Sequence, residues 1–106
     1  MELKRVVVTG LGAITPLGHN VADTWAAVVD GVSGAGPITR FDASLFKTQF
    51  ACEVKDFDPS LYFDRKEARK YDRYAQYAVI AAKEGVEDSG LDLEKVNKNR
   101  VGVIFA

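Results

Sequence analysis

The residue types able to do chemistry are few and separated along the chain. They are the Gly10-Leu11-Gly12 turn after Val6-Val7-Val8-Thr9, the lone histidine His19, the lone cysteine Cys52, and the cations gathered between Arg65 and Arg73. A β-branched run breaking into Gly-x-Gly is how a dinucleotide-binding fold begins, but the full fingerprint wants a third glycine and then an acidic residue about 20 positions on. Thr15 stands where the third glycine belongs, and Ile14 blocks the short-chain-dehydrogenase spacing. Pro16-Leu17-Gly18 lengthens the turn, so the next helix starts too late to cradle a pyrophosphate, and Asp30 falls near the end of that helix rather than after a second strand. The glycines read as a tight, buried turn.

Cys52, in Phe50-Ala51-Cys52-Glu53-Val54, invites a nucleophile. A reactive thiolate needs a helix N-terminus or a base beside it; the neighbour here is a carboxylate in a strand-like run, and Cys52 reads as a small core or strand residue. His19, between Gly18 and Asn20, has no cysteine or acidic cluster near it in sequence and reads as a surface or turn histidine.

The cations are better patterned. At helical periodicity Tyr71, Tyr74, Ala75, Ala78, Ala82 and Val86 share one face, and Lys66, Arg69, Lys70 and Arg73 the opposite one, with Arg65 beside them. One side is expected to pack on a sheet and the other to show a compact cationic patch suited to an acidic partner. In the first turns of a long helix each cation opposes the macrodipole, at about 0.3–1 kcal/mol at low salt. Asp64, Glu67 and Asp72 offset part of that.

These residues need elements to hold them. Arg5 to Thr9 reads as a strand apolar on both faces, as in a parallel or mixed sheet. Asn20 is an N-cap with Asp23 in the first turn, and Val21, Trp25, Val28, Val29 and Val32 follow at helical spacing, with Gly31 at the C-terminal end. Residues 33–37 form a loop and 48–54 a short strand. Asp64-Arg65-Lys66-Glu67 has capping-box spacing, predicting one helix from Arg65 to about Asp88 that Ser89-Gly90 ends. A second buried-type strand begins at Val101. The order is β-α-(β)-α-β, an α/β pattern without an internal domain boundary. The two apolar strands call for more helical cover than the sequence supplies, so it reads as the front part of something longer.

Bulk properties narrow the function. In 106 residues, hydrophobic content of 47% and charged content of 27% suit a globular domain, and a net charge of -1 argues against general attraction to nucleic acid or an anionic membrane. One cysteine excludes an internal disulfide framework and fits a reducing compartment. No apolar run reaches the roughly 20 residues of a membrane span and no signal-peptide pattern opens the chain, so a cytoplasmic location is expected.

Three stretches resemble the start of the β-ketoacyl-(acyl carrier protein) synthase II family: RVVVTGLGAITPLGHNVADTWAAVVDGVSG, FDASLFKTQFACEVKDFD and, most specifically, DRKEARKYDRYAQYAVIAAKEGVEDSGLD. The R-K-E-x-R-K block followed by D-R-x-x-Q-Y is closer to synthase II than to synthase I. The resemblance covers Arg5 to Ala106 but only about the first quarter of the family's length. It implies the N-terminal part of a thiolase-like αβαβα fold with a mixed sheet, in a homodimer. The implied activity is fatty-acid elongation by decarboxylative Claisen condensation, in which a cysteine thioester is attacked by the carbanion of malonyl-acyl carrier protein, with no metal or organic cofactor. The family's cysteine and two histidines lie beyond Ala106, so the resemblance assigns no catalytic residue here, to Cys52 and His19 included. It assigns acyl-carrier-protein binding to Lys66, Arg69 and Lys70; Arg65 and Arg73 join them on helical geometry alone. A non-catalytic chain-length-factor-like partner of the same fold would look the same over this segment.

Overall fold

Short-range capping sets out the helices. The computed structural model describes residues 1–105. The Asn20 side chain accepts a hydrogen bond from the Asp23 amide at 2.7 Å and opens α1, Val21–Val29. Asp64 accepts from the Glu67 amide at 2.7 Å and opens α2, Arg65–Lys70. The return bond of a capping box, from the Asp64 amide to the Glu67 carboxylate, is not among the hydrogen bonds of the described residues. Gly31 and Gly90 follow their helices with φ of 69° and 67°, the left-handed region where glycine is strain-free.

The single helix expected from Arg65 to Asp88 is two helices. Tyr71 is extended, with φ −108° and ψ 133°, and Asp72 then caps α3, Arg73–Ser89, by accepting from the Ala75 amide at 2.9 Å. A second N-cap residue seven positions into the pattern competes with helix continuation and wins here. The break also changes the inward face. Tyr71, Tyr74 and Val86, expected to pack on a sheet, are exposed, while Gln76 and Ile80 are buried.

The segment from Arg5 to Thr9 and the one from Val101 to Phe105, both expected as core strands, form no ladder among the described residues; Ala106, expected at the end of the second, lies outside them. A strand needs neighbours for its amides and carbonyls, and no described segment pairs with either one, though the Phe105 ring meets Tyr74 of α3 edge-on at 6.2 Å. Val6 is 89% exposed and Ile104 96%. The only sheet among the described residues is a two-stranded antiparallel ribbon of β1, Gly36–Pro37, and β2, Phe50–Ala51, with Gly36 opposite Ala51 and Pro37 opposite Phe50. β2 lies inside the expected 48–54 strand; its partner comes from residues expected to be loop.

The described residues bury little: Ala43, Gln76 and Ile80 alone among them are buried, and none of the three completely. The radius of gyration is 17.4 Å, against about 13 Å for a compact chain of this length. Specific polar ties hold the parts instead. The Lys55 ammonium donates to the carbonyls of Gly34 (2.8 Å), Pro16 (3.3 Å) and Glu53 (3.4 Å), drawing three loops together. Thr39 donates through both its hydroxyl and its amide to Glu53, and these bonds hold that carboxyl below its ordinary range.

Among the glycines, those of the Gly10-Leu11-Gly12 turn lie most tightly packed, against α3. A Cβ on Gly12 would run into the Ala81 carbonyl oxygen and come to 2.7 Å from the Gly85 amide. One on Gly10 would strike the Gly85 carbonyl and lie 2.6 Å from the Ser89 amide. With both glycines bare, the turn's amides reach the helix's acids: Leu11 N–H donates to Asp88 (2.9 Å) and Ala13 N–H to Glu84 (2.9 Å). The second Glu84 oxygen accepts from the Val21 amide at 2.9 Å, tying the start of α1 to α3. Amides that would face a phosphate in a nucleotide fold therefore face two carboxylates, which repel an anion.

Candidate functional site

The break at Tyr71 decides where the cations sit. Arg65, Lys66, Arg69 and Lys70 are exposed on α2 and line one open concavity of about 530 Å³. Arg69 and Lys70 occupy its last turn. The dipole penalty expected for cations in the opening turns of one long helix therefore does not apply to these two, because carbonyl oxygens at a helix C-terminus attract positive charge.

Arg73, expected on the same face by its i, i+7 spacing, has left it. As the first residue of α3, it places its guanidinium carbon 4.8 Å from the centre of the Phe57 ring. That ring is stacked on Tyr62 and meets Tyr77 and His19 edge-on, and Tyr77 OH accepts from Arg40 at 2.8 Å. Arg73 thus joins an aromatic cluster in a cation–π contact.

No ion pair among the described residues engages the cations of α2. The ion pairs among the described residues, Lys95–Asp92 and Lys98–Glu94, both at 3.6 Å, lie elsewhere. Of the acids expected to offset the patch, Asp64 accepts from the Glu67 amide and Asp72 from the Ala75 amide, while Glu67 is exposed on α2 and belongs to neither ion pair. The helix rests on the 3-10 turn Pro59–Leu61 and is braced by Phe63 against Tyr71, with ring centres 5.9 Å apart.

The other candidates are placed differently. Cys52, expected in a core or strand, follows β2 and is exposed. His19 sits in the turn before α1, half-buried, with Nε2 2.6 Å from the Lys55 carbonyl oxygen. Neither lines the concavity formed by the α2 cations. Sequence reasoning missed Glu84, Asp88 and Gly85 as partners of the glycine turn. Their signal was present, since with Ala81 they recur at i, i+3, i+4, i+7 and make a stripe of small and acidic residues on α3.

The family model described as beta-ketoacyl synthase, N-terminal domain, matches residues 3–106. The 3-oxoacyl-[acyl-carrier-protein] synthase 2 of Coxiella burnetii is 54% identical over 103 residues, covering 97% of this chain and 25% of that protein. Among solved structures, the ishigamide ketosynthase/chain length factor superposes with a TM-score of 0.73 at 41% identity, over 85% of this chain and 22% of that one. A type II PKS acyl-carrier protein in complex with its ketosynthase gives 0.66 at 32% identity, over 92% and 24%. The chain spans about a quarter of the length of the curated relatives it matches. These neighbours bear out the expected fold class, an α/β segment of the thiolase-like fold. By its sequence match from residue 3 onward and by its backbone, the chain belongs to the β-ketoacyl synthase family, in the region of that family's N-terminal domain.

Proposed function

We propose that this chain is the N-terminal segment of a β-ketoacyl-acyl carrier protein synthase II, an acyltransferase that extends fatty acyl chains by decarboxylative condensation with malonyl-acyl carrier protein. Within that enzyme it supplies part of the sheet core and the surface on which the carrier protein docks. Lys66, Arg69 and Lys70, with Arg65 beside them, receive the acidic carrier. The observation that carries this reading is the exposed cation face of α2, outside the ion pairs of the described residues. The complex of a related ketosynthase with its carrier protein supports the choice of partner. Homodimerisation and a cytoplasmic location go with the reading by resemblance; among the described residues no helix is long and apolar enough to cross a membrane.

Charge complementarity makes the reading testable. Exposed ion pairs weaken as salt shortens the Debye length, from about 10 Å at 0.1 M to about 3 Å at 1 M. In the full-length enzyme, KM for acyl-carrier-protein thioesters is expected to rise steeply with salt while KM for a small acyl thioester stays flat. Parallel salt curves for the two substrates would overturn the docking role.

The segment by itself is expected to be inactive, because Cys52 has neither a helix N-terminus nor a base beside it. Mass spectrometry after incubation with acyl-carrier protein should show no acyl group on Cys52; a stoichiometric thioester there would refute the assignment. A second reading, a chain-length-factor-like partner, is favoured by the ketosynthase/chain length factor neighbour. Finding a T-A-C-type nucleophile motif later in the same polypeptide decides for the synthase.

A further inference from the structure

The motif D-R-x-x-Q-Y contains one residue to which neither the resemblance nor the docking surface gives work: Gln76. Its burial is unusual for a polar side chain, at 5% exposed on α3. The side-chain amide reaches back across the break: Nε2 donates to the Ala68 carbonyl at 3.0 Å and the Tyr71 carbonyl at 3.4 Å. Both partners can only accept, so the NH2 must be the group facing them.

Those carbonyls matter because of what α2 is. It has six residues, too few for a helix to persist in water without tertiary support. The last four carbonyls of any helix lack intrahelical partners. α2 has no left-handed glycine to satisfy them, since Tyr71 at its end is extended. Gln76 provides the missing donor from the next helix, and its own backbone amide bonds the Asp72 carbonyl at 3.0 Å. The same residue thus grips the end of α2, the linking residue and the cap of α3. Its Oε1 is buried and meets no donor among the described residues, so the side chain sits where it does despite an unmet acceptor.

We propose that Gln76 is the positioning residue of the carrier-docking surface: by capping α2 from α3 it sets the angle at which Arg65, Lys66, Arg69 and Lys70 are presented to the acidic partner. The proposal rests on the docking reading above. It assigns Gln76 no contact with the carrier or with reacting atoms. Its effect passes through α2, because charges on a wandering helix lose the fixed relation that complementarity needs.

The test uses the full-length enzyme and Gln76→Leu, which keeps most of the volume and removes both bonds. Amide hydrogen exchange should speed up by about tenfold or more in residues 65–70 while α3 beyond Ile80 is unchanged, as local opening would give. KM for acyl-carrier-protein thioesters should rise about 5- to 20-fold with kcat nearly constant, within the usual range of coupling between sites. Gln76→Glu supplies a second arm should Gln76→Leu not fold. Its carboxylate cannot donate to the two carbonyls, but its protonated acid can, so its carrier KM should recover toward wild type as pH is lowered.

Unchanged exchange in residues 65–70, or exchange that rises while carrier KM does not, overturns the proposal. So does an equal loss with carrier and small thioesters, which marks a merely structural residue. Lys66→Glu with Arg69→Glu, run in parallel, separates the two readings. If that pair leaves carrier KM unaltered, the docking surface itself is wrong; if it raises KM and Gln76→Leu does not, only the role of Gln76 is lost. When both hold, adding Gln76→Leu to the charge-reversed pair should give much less than the product of the separate effects.

Discussion

Lys66→Glu combined with Arg69→Glu in the full-length enzyme is expected to reduce kcat/KM for acyl-carrier-protein thioesters by about 30-fold or more. Like charges brought together across an interface cost several kcal/mol, and about 2 kcal/mol already corresponds to ~30-fold. Both side chains are exposed on α2 and outside the ion pairs of the described residues, so reversing them breaks no pair in the fold. Turnover of small acyl thioesters, which carry no acidic surface, should hardly move. A comparison with Arg73→Glu sharpens the expectation. By spacing, Arg73 belongs with the patch; in the structure it lies over Phe57. Arg73→Glu should therefore lower thermal stability through the aromatic cluster and leave carrier KM much less affected than the pair does. Equal loss with both substrates in the Lys66/Arg69 double variant would point to damaged folding and end the docking interpretation.

The second large effect is expected from one methyl group. Gly12→Ala should destabilise the protein by about 3 kcal/mol or more, at the upper end for overpacking a close contact. The added Cβ would meet backbone on α3, the Ala81 carbonyl and the Gly85 amide, and backbone cannot rotate away as a flexible side chain can. Relief requires the turn to lift from the helix. That would also pull Ala13 N–H off Glu84, leaving a helix-borne carboxylate without one of its two amide donors. Gly36→Ala is the control: a Cβ there meets nothing within 4 Å among the described residues, and the change should stay within about 1 kcal/mol. Denaturant unfolding of the two variants checks the contrast. Equal stability would mean that the glycines serve the turn's own conformation rather than its contact with α3.

The elements that sequence made legible share one property: their determinants lie within three or four residues. Asn20 accepts from Asp23, Asp64 from Glu67, and Gly31 and Gly90 take the left-handed conformation just past their helices. The family was legible for a related reason, since the R-K-E-x-R-K and D-R-x-x-Q-Y blocks are local strings. The break at Tyr71 was missed although Asp72 is a good cap, because a helical pattern that continues on both sides masks it. Across the break a side chain from the next helix, Gln76, reaches the Ala68 carbonyl, a contact that no local pattern announces.

The cation cluster was visible as a charge pattern, but its membership was not. A periodicity argument assumes an unbroken axis, and two residues of extended chain were enough to move Arg73 from the patch to Phe57. The sheet was out of reach in the same way, since apolar runs mark strands that want neighbours without saying which segment provides them. Sequence alone therefore determined where α1 and α2 start and where α3 ends, the kinship of the chain, and the store of positive charge from Arg65 onward, because those depend on near neighbours and residue type. Tertiary structure alone decided which cations face outward together, and why Gly10 and Gly12 must be bare. The first depends on two extended residues that carry Arg73 onto the Phe57 ring, the second on α3 passing within backbone contact of a turn about seventy positions away.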